Sequence, residues 1–230
     1  MAKLNIKKFR SFLDFQLNIL KTSNLITRIS GTIYVLSVLD SRVKSKEIKL
    51  DKETEEVLGT FNVKDKEMEQ IYEMGFIALF ANFEFFMFDF LKELFLKFPN
   101  SLSKDLKINL GELSSLTSVE QIMEYIIDRT AIQKSYSIEK WAGVLQTFGI
   151  EVFLNKTEKK TMQNLNRIRN ILMHSGGKID SKSKQMLIEK FEIKSNEIRL
   201  GEDLMFNREK SFEILMKYFE KTIIANLEKI

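Results

Sequence analysis

The chain has 230 residues, 44% hydrophobic and 30% charged, so it is too apolar for a disordered polymer and long enough to bury a sizeable core. It lacks cysteine, which excludes disulfides, thiolate metal sites and a cysteine nucleophile, and its single histidine, His174, excludes any metal site needing two histidines from one chain. One proline and nine glycines are too few for the turns of a strand-rich protein, while a net charge of +4 by itself only leans towards an anionic partner.

An all-α fold follows, with residues 1–230 expected to form a single domain. The segment MAKLNIKKFRSF lacks the apolar run of a signal peptide, and the expectation is a cytoplasmic protein. A first helix is expected from about Lys8 to Val43. Phe9, Phe12, Leu13, Phe15, Leu17, Ile19 and Leu20 are spaced for one broad apolar face, and Gly31 is a point where the helix can bend or break. Polar residues 45–66 leave room for a short helix around Glu53 to Leu58.

A long second helix is expected from Asp65 to Phe98, ending before Pro99, because proline disfavours helical geometry in the residue before it. Its stretch GFIALFANFEFFMFDFL is apolar nearly all round. Asn82, Glu84 and Asp89 within it argue for a helix surrounded by other helices rather than one crossing a membrane. Glu84 lies between Phe80 and Phe88 at four-residue spacing. A carboxylate on such a stripe is expected to meet a cation, with an arginine of a later helix as the partner, unless it points into solvent.

Residues 100–117 read as a connection. Ser118 with Gln121 forms a capping box for a helix to about Thr130, and another helix runs from Ser137 to Phe148, ended by Gly149. Trp141 is expected in the core rather than stacked on a base, with nearby Tyr136 a further aromatic. The next helix runs from Thr157 to His174 or Ser175, and Gly176-Gly177 close it. Asp180 caps a helix over 181–191, residues 192–200 form a small extended excursion, and a last helix spans 207–227. The core is placed at about 65–191, with the first and last helices packed on it.

Positive charge gathers around the only histidine. Residues 156–190 hold nine basic and three acidic side chains, a local excess of six, so the remainder of the chain is net −2. Within that stretch stands Arg169-Asn170-Ile171-Leu172-Met173-His174. Cleaving RNA without a metal requires a base for the 2′-hydroxyl proton, an acid for the departing 5′-oxygen and positive charge for the phosphorane. Imidazole titrates near neutral pH and can serve as base or acid, and guanidinium grips phosphate oxygens bidentately. Arg169 and His174 supply one of each. At about 100° per residue they stand roughly 140° apart on a helix, whereas Asn170 and His174 share a face. Asn170 is thus placed to orient the imidazole, and Arg169 has to reach round. Arg167 is a second phosphate ligand or, equally, a surface charge or a partner for Glu84. Lys178, Lys182 and Lys184 would attract an RNA backbone irrespective of sequence.

The segment from Arg169 to His174, followed by small residues, glycines and an Ile-Asp pair, resembles the HEPN superfamily. The mark of that family is Arg, a polar residue often Asn, a few mostly apolar residues and His near a helix end. The order of helices from about Ile71 to Phe191 is similar too. The resemblance implies an up-down helical bundle with flanking helices. It also implies a metal-independent endoribonuclease with no cofactor and with catalytic Arg169, His174 and Asn170, supported by Glu84 and Arg167. It implies a homodimer whose two motifs share one cleft, and a role as a toxin or phage-defence effector with a cognate antitoxin or regulator. A catalytically inactive HEPN-like module binding RNA, a nucleotide or a protein is the alternative.

Overall fold

A computed structural model of the chain describes residues 5–60, 65–102, 110–135, 137–175, 192–193, 198–199 and 208–229. The fold is all-α. In chain order come α1 (Arg10–Lys44), α2 (Lys52–Thr60), α3 (Asp65–Lys97), α4 (Leu110–Leu113), α5 (Val119–Ser135), α6 (Ile138–Thr147), α7 (Lys156–Ser175) and α8 (Arg208–Tyr218). The chain leaves α8 through one π-helical stretch, Phe219–Ile224, and finishes in α9 (Ala225–Leu227). Among the described residues the only extended pairing is a two-residue antiparallel ladder, Glu192 opposite Arg199 and Ile193 opposite Ile198. It lies in the excursion expected over 192–200. The helix expected over 181–191, its cap Asp180, the glycines Gly176 and Gly177, and Tyr136 lie outside the described residues.

The helix ends obey local chemistry. Ser137 accepts a hydrogen bond from the Lys140 amide to open α6, and Gly149 closes it at φ 72°, a left-handed conformation that glycine adopts without a Cβ penalty. At the head of α5 the Gln121 amide donates to Ser118 Oγ, while Gln121 Oε1 accepts from the Thr117 amide. The expected box therefore forms with its return bond one residue upstream. At the head of α7, Asn155 accepts from the Glu158 amide at 2.9 Å and the Glu158 carboxylate accepts from the Leu154 amide at 2.8 Å. Gly31 does not interrupt α1, which runs through it, because one glycine costs a helix interior only about 1 kcal/mol.

The chain divides into two compact units. The first comprises Met1–Leu17, Phe80–Gln163 and Tyr218–Ile230. Its core is aromatic. Phe15 stacks on Phe86 at 4.5 Å between ring centres, Phe83 on Phe219 at 5.1 Å, and Phe9 meets Phe90 edge-on at 5.1 Å. Trp141 packs edge-on against Phe83 and is buried, which removes it from any base-stacking role. Tyr218 donates its hydroxyl to the Glu158 carbonyl, and Asn226 donates to the Val152 carbonyl and the Glu158 carboxylate. These bonds anchor the C-terminal turns to the start of α7.

The second unit comprises Asn18–Leu79 and Asn164–Lys217. Ile26, Phe76, Leu79, Leu165, Ile168, Leu172, Phe212 and Leu215 are among its buried apolar residues. Gly75 lets α3 pass close to two of them. A Cβ built there would lie 2.8 Å from both Ile26 Cγ1 and Phe212 Cε2.

Two expectations about apolar faces are corrected. α1 does not have one broad buried face, since Phe9, Phe12, Phe15, Ile19 and Ile26 are buried whereas Leu13, Leu17 and Leu20 are exposed. α3 is not enclosed all round either, with Phe85 and Met74 both exposed. By length and composition its Met68–Lys97 portion could cross a membrane, and half of its most apolar window is buried among other helices.

Candidate functional site

The residues singled out around His174 lie on α7, a helix with two opposed faces. Met162, Leu165, Ile168 and Leu172 are buried and recur at three- to four-residue intervals, so they fix the rotation of the helix. The opposite face then has to be polar. At about 100° per residue, Lys156, Lys160, Gln163, Arg167, Asn170 and His174 fall on one line along it. All but the half-buried Gln163 are exposed.

His174 stands in the last turn of α7, its side chain open to water. Asn170 lies one turn earlier on the same face and is exposed. Arg169 starts from the edge of the buried stripe and is half-buried, yet its guanidinium turns back. Its Nη1 donates to Asn170 Oδ1 at 2.8 Å. The 140° separation that sets Arg169 apart from His174 on a helical wheel is therefore reduced by the long arginine stem, and the carboxamide of Asn170 is the anchor.

Arg167 shares the exposed face with His174, two turns before it, and its Nη1 donates to Asn164 Oδ1 at 3.0 Å. Asn164 is a residue that motif reading passes over. It is 1% exposed, and its Nδ2 is buried without a hydrogen-bond partner. A buried amide left unpaired costs about 1–3 kcal/mol, while the carboxamide oxygen of the same side chain holds Arg167. The one sequence sign of it is the three-residue spacing from Asn164 to Arg167.

The structure thus brings together Arg169 and Asn170 by a hydrogen bond, and Arg167, Asn170 and His174 by a common face. Glu84 is not the buried carboxylate it was expected to be. It is exposed on α3, because the helix turns the Phe80, Phe83 and Phe86 side into the core and leaves 84 and 85 outside. Burial therefore does not require a cation for it. Lys178, Lys182 and Lys184 lie outside the described residues. No three or more histidine, aspartate or glutamate side chains among the described residues gather as a metal site.

Chemically the α7 face offers hydrogen-bond donors and fixed positive charge in a line about 10 Å long from Arg167 to His174, with an exposed imidazole at its end. That matches an anionic, extended ligand better than a compact one. Comparison with known proteins adds no identity to this geometry, since no family model, no curated protein and no solved structure matches the chain.

Proposed function

We propose that the chain is a metal-independent endoribonuclease of HEPN type, with His174 as its proton-transfer group. The observation that carries this reading is the water-exposed imidazole one turn beyond Asn170, whose carboxamide also holds the Arg169 guanidinium at 2.8 Å. In the proposed step a base removes the proton of the 2′-hydroxyl, and O2′ attacks the adjacent phosphorus. The bond to the 5′-oxygen breaks and an acid protonates that oxygen. The products are a 2′,3′-cyclic phosphate and a free 5′-hydroxyl. Arg169 and Arg167 neutralise the charge that builds on the phosphorane oxygens, where guanidinium is stronger than lysine because it binds two oxygens at once. Asn170 positions both the imidazole and Arg169.

One imidazole cannot be base and acid in the same step, so a second copy supplying a second His174 completes the reading. RNA is the proposed partner, and a growth-arresting or defence role with a controlling partner is the proposed context. The test is cleavage of a labelled RNA in EDTA by the wild type and His174→Ala, with circular dichroism to check folding. Cleavage by the wild type and a loss of at least 100-fold in the folded variant support the proposal, in line with the usual size of a general acid-base contribution. RNA retention without cleavage by the wild type would instead mark a binding module.

A further inference from the structure

We propose that the outer face of α1 is an interface for a second copy of this chain, joined as a parallel two-stranded coiled coil. This inference does not rest on the ribonuclease reading and concerns a different helix.

The α1 helix is 35 residues long and carries two stripes. The buried stripe of Phe12, Phe15, Ile19 and Ile26 faces the protein. Beside that stripe Leu13, Leu17, Leu20, Asn24, Thr27, Gly31, Tyr34, Val38 and Ser41 follow one another at alternating intervals of four and three residues, and each of them is exposed. The large apolar members, with Val35 beside them, are 37–69% exposed. Gly31 has nothing near the place a Cβ would occupy, so the row is open at its centre. An alternation of three and four is the heptad seam of a coiled coil, in which Leu17, Asn24, Gly31 and Val38 take the a positions and Leu13, Leu20, Thr27 and Tyr34 the d positions. A helix covered only by water has no reason to keep three leucines in register on its solvent side.

Three features point to a second copy in parallel register. Asn24 is the sole amide-bearing residue in the seam. One asparagine at an a position meets its own counterpart in a parallel dimer and fixes register there. The flanking charges agree. Asp14, Lys21, Arg28 and Arg42 occupy e positions, while Gln16, Ser23, Ser30 and Ser37 occupy g positions. In a parallel pair each e charge faces an uncharged g residue of the other copy. Of the antiparallel registers that keep a opposite d, one sets Lys21 against Arg28, and the one that sets Arg28 against itself, with Asp14 opposite Arg42, leaves Asn24 opposite Tyr34 instead of its own counterpart. The size also suffices. From Leu13 to Ser41 the seam is about 42 Å long, and covering a strip roughly 16 Å wide on each copy removes about 1,300 Å² in all, within the range of specific interfaces.

The test is the mass of the full chain in solution across a concentration series, for the wild type and for Leu17→Lys with Leu20→Lys. Both leucines are exposed, so the substitutions spare the core, and circular dichroism confirms folding. A wild-type dimer that the paired lysines convert to monomer supports the proposal. A monomeric wild type, or a dimer whose dissociation constant changes less than threefold in the variant, overturns it. The chain has no cysteine, so Asn24→Cys gives one thiol per copy. Rapid disulfide-linked dimer on mild oxidation is expected of the parallel register, and a dimer that does not cross-link overturns that register.

Discussion

Asp89 shows how a single residue carries the balance between charge and burial. Its carboxyl is pushed above the usual carboxylate range by burial first and by the neighbouring Glu93 next, with Lys92 pulling the other way. An acid whose folded pKa is raised contributes its full stability only below the unfolded value near 4. That contribution is lost as pH rises through the folded value. Asp89→Asn is therefore expected to raise the melting temperature at pH 7, with the advantage vanishing below about pH 4. Equal melting temperatures at pH 7 would contradict this assignment. Lys92 itself is held charged by its hydrogen bond to Asp128, at 2.7 Å between Nζ and Oδ1. At the same scale the reading of His174 against Arg169 was legible as chemistry but not as geometry. The residue types suggested a proton-transfer group beside a phosphate-binding one, while the turn of Arg169 onto Asn170 depends on rotamers of a long side chain that spacing does not specify. Asn164 was hard to read for a related reason, since its only sequence sign is the three-residue spacing to Arg167, and the burial that sets it apart from the half-buried Asn166 comes from tertiary packing.

At the scale of elements, glycine separates two kinds of helix position. Gly75 is where α3 comes close to Ile26 and Phe212, both of them buried, so neither contact atom can swing away freely. Gly143, inside α6, is exposed and has nothing near its missing Cβ. Alanine gains about 1 kcal/mol in a helix interior over glycine, whereas overpacking a filled core costs about 1–3 kcal/mol. Gly143→Ala is expected to stabilise the protein by about 0.5–1 kcal/mol and Gly75→Ala to destabilise it by about 1–2 kcal/mol, as read from denaturant midpoints. Stabilisation by Gly75→Ala would show that the close approach is not a constraint. Helix ends were well marked in the sequence, because Ser118, Ser137, Gly149 and Pro99 act through local bonds and sterics alone. Helix faces were less so. In α1 the leucines and phenylalanines of the first turns are equally apolar, and only tertiary packing decides that Phe12 and Phe15 turn inward while Leu13 and Leu17 face water. The π-helical stretch Phe219–Ile224 has no sequence mark either, and it coincides with the burial of Phe219 and Ile223.

Across the whole molecule, composition already leaned towards an all-α fold, since one proline and nine glycines are few for the turns of a strand-rich protein. It did not foretell the division into two compact units, because both are built from pieces that are distant in the chain and their limits fall inside helices α1, α3, α7 and α8. The polar and basic groups in line along α7 give that helix a face suited to a polyanion. Whether that face performs chemistry is tested most directly with two matched oligoribonucleotides in EDTA, one all-ribose and one carrying a single 2′-deoxy sugar on the 5′ side of the cleaved bond. The expected result is cleavage of the first to a 2′,3′-cyclic phosphate end and no cleavage at the deoxy position of the second. An intact all-ribose strand, or equal cleavage of both, would contradict attack by the 2′-hydroxyl at this site.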